Sequence, residues 1–142
     1  MDGTRSLSRK VGIIDGKTIQ LLGLDIDTGT PIMLGESNIR HMKESHPEAF
    51  AKYFPHLESI LSEPDYVNRN PKDGSIKYIK QMEDCVVVGV RISLKGTIFA
   101  RTIFTFEEWK FKQYMDGGYL KEHSKKAQPE DCAPPTNPRQ GD

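Results

Sequence analysis

Residues 84–106 read DCVVVGVRISLKGTIFARTIFTF, two runs rich in Val, Ile, Phe and Thr on either side of a short break. Side chains of this kind fit strands, and Leu94-Lys95-Gly96 fits a three-residue hairpin loop whose last position is left-handed, which Gly96 supplies. This predicts an antiparallel hairpin with Ser93 opposite Thr97, Arg91 opposite Phe99 and Gly89 opposite Arg101. Alternation then puts Val86, Val88, Val90 and Ile92 with Ile98, Ala100, Thr102 and Phe104 on a face for the core. The other face carries Arg91 and Arg101, diagonal neighbours about Gly89, whose missing side chain leaves a hollow. Two cations beside a hollow outline an anion site, although arginines on an open sheet face are also commonly just solvated.

Working outward, residues 75–80 form a preceding strand. A connection through residues 81–84 sets Lys80 opposite Cys85 and Tyr78 opposite Val87, so Tyr78 and Lys80 join the arginine face. The same register turns Lys77 toward the core, which requires its ammonium to snorkel at the sheet margin. Upstream, Tyr66-Val67 is a short extended piece, and Asn70-Pro71-Lys72-Asp73-Gly74 is a turn. Ser37 or Asn38 caps a helix that buries Ile39 and Met42 and ends at Ser45, because His46 precedes Pro47. Pro47 then opens a second helix, with Phe50, Phe54, Leu57 and Leu61 at helical spacing, a split at Pro55 and an end at Pro64. Near the N-terminus, short apolar runs flank Asp15-Gly16 and predict a β-hairpin over residues 11–24, followed by a loop over residues 25–35. Residues 107–115 form a C-terminal helix stopped by Gly117-Gly118, and residues 119–126 fit no element clearly.

The fold class expected is therefore α+β: an N-terminal β-hairpin and helices, then an antiparallel sheet of about four strands and a C-terminal helix. The boundaries expected are a flexible N-terminus over residues 1–8, one domain over residues 9–126, and a disordered Pro-rich tail over residues 127–142. A chain of 142 residues suits one core. It shows no spanning-length apolar stretch and no signal-peptide centre, so a cytoplasmic setting is the default. Lys+Arg and Asp+Glu each total 20, so any surface for a polyanion must be a local patch. Cys85 and Cys132 match neither a disulfide framework nor a metal-ligand spacing. No internal repeat, glycine-rich phosphate loop or acidic metal cluster is present, and no cofactor or metal is expected.

The run from Ile39 through His41, His46 and Pro47 to Phe50, then Pro64-Asp65-Tyr66-Val67, Asn70-Pro71-Lys72-Asp73, residues 75–80 and Phe99-Ala100-Arg101-Thr102, resembles a phage-associated family of nuclease-like domains. That family is grouped with the barnase, EndoU, colicin and RelE-like ribonucleases, the BECR fold. The likeness covers about residues 36–115. It implies helices followed by an antiparallel sheet, and metal-independent RNA cleavage of the kind found in toxins and effectors.

Such cleavage needs a base for the 2′-OH, an acid for the 5′-oxygen, and cations for the charge that builds on the phosphate. The candidate catalytic residues are His41 and His46 for proton transfer and Arg91 and Arg101 for the phosphate. Tyr78 and Lys80 are the candidate substrate-binding residues. Plainer readings stand beside these: His41 as ordinary surface, His46 as the residue before the Pro47 helix, Tyr78 as a packed aromatic. The expected function is a metal-independent endoribonuclease or toxin-like domain with RNA as partner, tRNA and ribosome-associated RNA included, and with room for a protein partner or inhibitor. The alternatives are a non-cleaving phage factor that binds RNA or protein, as an inhibitor or anti-defence protein does, and a small-molecule or nucleotide-processing enzyme on the same scaffold. The even charge balance favours the alternatives, since RNA binders usually carry a basic bias.

Overall fold

A computed structural model describes residues 8–93, 95–117 and 120–123. The expected flexible residues 1–7 and disordered tail over residues 127–142 lie outside the described residues.

The chain runs β1 (Arg9–Ile13), α1 (Gly16–Leu22), β2 (Pro31–Leu34), α2 (Glu36–Ser45), α3 (Pro47–Tyr53), a 3-10 turn (Phe54–His56) and α4 (Leu57–Ser62). It continues through β3 (Tyr66–Arg69), β4 (Ile76–Gln81), β5 (Cys85–Ile92), β6 (Ile98–Phe106), α5 (Glu108–Asp116) and β7 (Lys121–Glu122). Among the described residues one sheet of seven strands results, in the order β1-β2-β6-β5-β4-β3-β7, rather than the expected four or so. Every pairing is antiparallel except β2 with β6, which is parallel.

The expected hairpin about Asp15-Gly16 does not form. Asp15 instead caps α1, its carboxylate accepting the Thr18 N–H at 2.8 Å, and Gly23 closes that helix at φ 65°. β1 pairs with β2, which lies in the segment expected to be a loop. The Asp-Gly pair that favours a tight turn is equally an N-cap followed by the first helical residue, and the ladder from Ile14 to Thr30 settles which one is used. In α2 the cap is Gly35, whose N–H is taken by the Asn38 side chain at 2.9 Å. The breaks at His46-Pro47 and at Pro55 fall where proline sterics put them.

β4, β5 and β6 form the middle of the sheet. One face buries Ile76, Tyr78, Val86, Val88, Val90, Ile98, Ala100 and Ile103 beneath Met42, Tyr53, Leu57, Ile60 and Leu61 from the helices. Each such aliphatic side chain contributes about 1.5–3 kcal/mol when fully removed from water, so this face dominates the stability. The opposite face is divided. At one end Ile79, Cys85, Val87 and Phe106 pack with Tyr66, Phe104, Phe111 and Tyr114, the last two from α5. At the other end it opens into a polar cleft.

Two registers differ from expectation. Gln81 pairs with Cys85, so the β4–β5 loop is Met82-Glu83-Asp84. Asp84 is held there by Tyr53, whose hydroxyl donates to the Asp84 carboxylate and accepts the Asp84 N–H at 2.9 Å. Tyr78 and Lys80 therefore face the helices and Lys77 faces the cleft, the reverse of the expected order. In β6 a bulge leaves Arg101 without a partner: Val90 pairs with Ala100, and Gly89 pairs with Thr102. Beyond it Ile103 turns to the core, while Thr102 and Phe104, expected in the core, turn to the other face.

Candidate nucleic-acid site

The cleft has a volume of about 450 Å³ and is lined by side chains from α2, the β3–β4 turn and strands β4 to β6. His41, Lys77, Arg91 and Arg101 supply its donors, Asp73 and Ser75 stand at the turn, and Gly89, Thr102 and Phe104 complete its wall.

Each charge arrives there for a local reason. Arg91 lies two residues beyond Gly89 on the face opposite the helices, in the plain alternation of β5. Arg101 reaches the same cleft because the bulge lets two successive residues, Arg101 and Thr102, present to one side. Lys77 pairs directly with Gly89 across β4 and β5. A β-carbon at Gly89 would come within 2.6 Å of Thr102 Cγ2, so glycine is required for the close approach of β5 and β6 under the cleft. The hollow expected beside Gly89 is thus filled by the Thr102 methyl, and the open space lies above it.

His41 comes from α2, which packs along β6 beyond the two residue pairs that β2 makes with that strand. Its neighbour Met42 is fully buried, which anchors this turn of helix and leaves His41 at the cleft. His46, at the junction of α2 and α3, does not line the cleft. Its ring lies 5.5 Å from that of Phe104, which does.

Asp73 is the one carboxylate among the lining residues. The Ser75 N–H reaches it at 2.9 Å, and its other oxygen lies 3.6 Å from Arg91. The Ser75 backbone and hydroxyl, then Arg91 and Lys77, hold its carboxyl below the usual range, so it is ionised at neutral pH. Among the described residues, two arginines and a lysine face one carboxylate, which gives this cleft a positive balance in a chain of even overall charge.

The structure thus brings His41, Arg91 and Arg101 together and sets the other candidates elsewhere. Tyr78 is buried in the helix-covered core, and Lys80 donates to the Glu63 carbonyl at 2.8 Å on that same side, so neither reaches the cleft. The one-residue shift set by Tyr53 and Asp84 is the physical reason. Lys77, Asp73, Ser75, Thr102 and Phe104 are cleft residues that sequence reasoning did not select. A signal for Lys77 existed: a lysine assigned to a core face marks a register displaced by one.

Other reactive groups do not join this site. Burial, then the nearby Asp65 charge, pushes the Cys85 thiol up to about 12, which removes it as a nucleophile. His123 pairs with Asp15 at 2.9 Å, and His56 sits in the 3-10 turn. Among the described residues, no group of three or more His, Cys, Asp or Glu side chains gathers as a metal ion would need. No helix among them is long and apolar enough to cross a membrane.

Searches among curated proteins and among solved structures found no match. A scan against protein families matches one over residues 9–113, from β1 into α5 and across every residue that lines the cleft. With most of the chain covered, the protein belongs to the family described as phage-Barnase-EndoU-ColicinE5/D-RelE like nuclease3, and it carries a nuclease-like domain of that kind.

Proposed function

We propose that this nuclease-like domain is an endoribonuclease that cleaves RNA without a metal ion, and that the cleft on the open sheet face is its active site. The observation that carries this reading is the convergence of His41, Arg91, Arg101 and Lys77 from four separate elements on one cleft. Two guanidiniums suit the non-bridging oxygens of a phosphodiester, and their charge is most favourable when the pentacoordinate state concentrates negative charge there. His41, in its neutral form, takes the proton of the 2′-OH, and the 2′-oxygen attacks phosphorus. The bond to the 5′-oxygen breaks, leaving a 2′,3′-cyclic phosphate on one fragment and a 5′-OH on the other. His46, in contact with Phe104, is the candidate donor of the proton that the 5′-oxygen takes. The donor set supports a metal-free route, because among the described residues the one lining carboxylate is already engaged by Arg91.

A second reading is a domain of the same fold that binds RNA without cutting it. It is favoured by one observation: a single imidazole lines the cleft, where the reaction moves two protons. Incubating the purified chain with total RNA in EDTA separates the two. Fragments with 2′,3′-cyclic phosphate ends are expected. RNA retained on the protein but left whole would select the binder.

A further inference from the structure

Phe104 is the one phenyl ring among the residues lining the cleft. It stands two positions along β6 from Thr102 and three from Arg101, on the same face. Its ring is held on two sides: His46 lies at 5.5 Å with planes 34° apart, and Phe106 meets it edge-on at 5.6 Å. Phe106 is itself braced by Tyr114 of α5 at 4.9 Å. The Phe104 ring is half-buried: it packs on the aromatic cluster through these two tilted and edge-on contacts and still borders the charged cleft.

We infer that Phe104 is a stacking platform for one unpaired base next to the phosphate held by Arg91 and Arg101, so that the cleft selects single-stranded over duplex nucleic acid. This rests on the reading of the cleft as the nucleic-acid site. Phe104 lies three residues along β6 from Arg101, about 10 Å on an extended strand, a span that the arginine side chain and the reach from a phosphate to the base of its own nucleotide cover together. A base inside a duplex has both faces covered by its neighbours, and an A-form helix keeps its bases in grooves that a ring on a sheet face does not enter. A splayed base offers its face to Phe104 while its phosphate stays on the arginines. Stacking of this kind tolerates any base, so the platform sets strandedness rather than sequence.

The test uses the full chain and 2′-deoxy oligonucleotides, which lack the attacking hydroxyl and report binding alone. One single strand carries 2-aminopurine, one carries an abasic site at the same position, and one is annealed to its complement. Tighter binding of the base-bearing strand than of the abasic strand or the duplex is expected, by about tenfold, with quenched 2-aminopurine fluorescence. Phe104→Leu should abolish both the preference and the quenching, while Phe104→Trp should keep them. Equal binding of base-bearing and abasic strands by the wild-type chain would overturn the inference, even if Phe104→Leu fails to fold, and so would a lack of binding to any strand. Cleavage is read separately: an inert protein that still prefers the base-bearing strand retires the ribonuclease reading and leaves the platform standing. A protein that cuts RNA but shows no preference does the reverse.

Discussion

The two faces of β4, β5 and β6 are made from alternate residues of the same strands, yet they do opposite things. The face toward the helices buries Ile76, Tyr78, Val86, Val88, Val90 and Ile103, with Lys80 at its margin donating to the Glu63 carbonyl. The other face is apolar where α5 covers it, and along β5 it changes from Val87 to Gly89, which Lys77 pairs with, and then to Arg91. Alternation alone cannot produce this, because it would send either Arg101 or Thr102 into the core. The bulge at Arg101 resolves the conflict by letting both residues face the cleft and returning Ile103 to the helices. The difference between the faces therefore depends on one inserted residue as much as on composition.

The largest expected effect comes from removing the charges and the imidazole of the open face. His41→Ala and Arg101→Ala should each lower RNA cleavage about a hundredfold to ten-thousandfold, with unchanged circular dichroism and melting temperature, since both side chains are exposed. A His41→Ala protein of normal activity would leave the cleft as a binding surface only.

Gly89→Ala probes where the two faces meet. The new methyl would collide with Thr102 Cγ2, so a destabilisation of about 1–3 kcal/mol is expected in denaturant unfolding. Adding Thr102→Ser, which removes that methyl, should recover part of the loss. No recovery would mean that the strain lies elsewhere in the bulge.

Asp73→Asn removes the carboxylate that competes with substrate phosphate for Arg91, and should raise affinity for a 2′-deoxy oligonucleotide several-fold, about 1 kcal/mol. The sign with pH follows from its depressed carboxyl. Asp73 is charged at neutral pH and loses that charge only as pH falls through its folded value, below the usual carboxylate range, so the difference between variant and wild type should fade there. A weaker-binding Asn variant would show that Asp73 orients Arg91 rather than competing for its ligand.

The smallest effect is expected on the apolar face. Among the described residues the Tyr78 hydroxyl has no hydrogen-bond partner, and burial, then the Asp15 charge, pushes its pKa well above the ordinary tyrosine value. Tyr78→Phe should leave activity unchanged and stability the same or slightly higher. A loss of cleavage would return Tyr78 to the site.

What could be read from the sequence follows from how local the signals are. The prolines at 47 and 55 and the Gly96 loop state their consequences within a few residues, and α2, α3 and the β5–β6 hairpin follow from them. Arg91 opposite Phe99 is likewise a consequence of the loop. The shift that exchanges Lys77 for Tyr78 is held by Tyr53, 31 residues away from Asp84, and its one local sign is the lysine that the expected register turns toward the core. The bulge at Arg101 has no glycine to mark it, so Thr102 and Phe104 read as core until the pairing with Gly89 is seen. The extra strands escaped for a related reason: β2 and β7 are four and two residues long and owe their existence to their partners rather than to their own composition.

The most direct test of the cleft as the nucleic-acid site is a crystal structure of the chain with a bound 2′-deoxy dinucleotide. The phosphate is expected within hydrogen-bonding reach of both Arg91 and Arg101, with Asp73 drawn away from Arg91 and His41 facing the sugar. A phosphate seated elsewhere, for example on Arg9 and Lys10 of β1, with the cleft unchanged, would contradict the assignment.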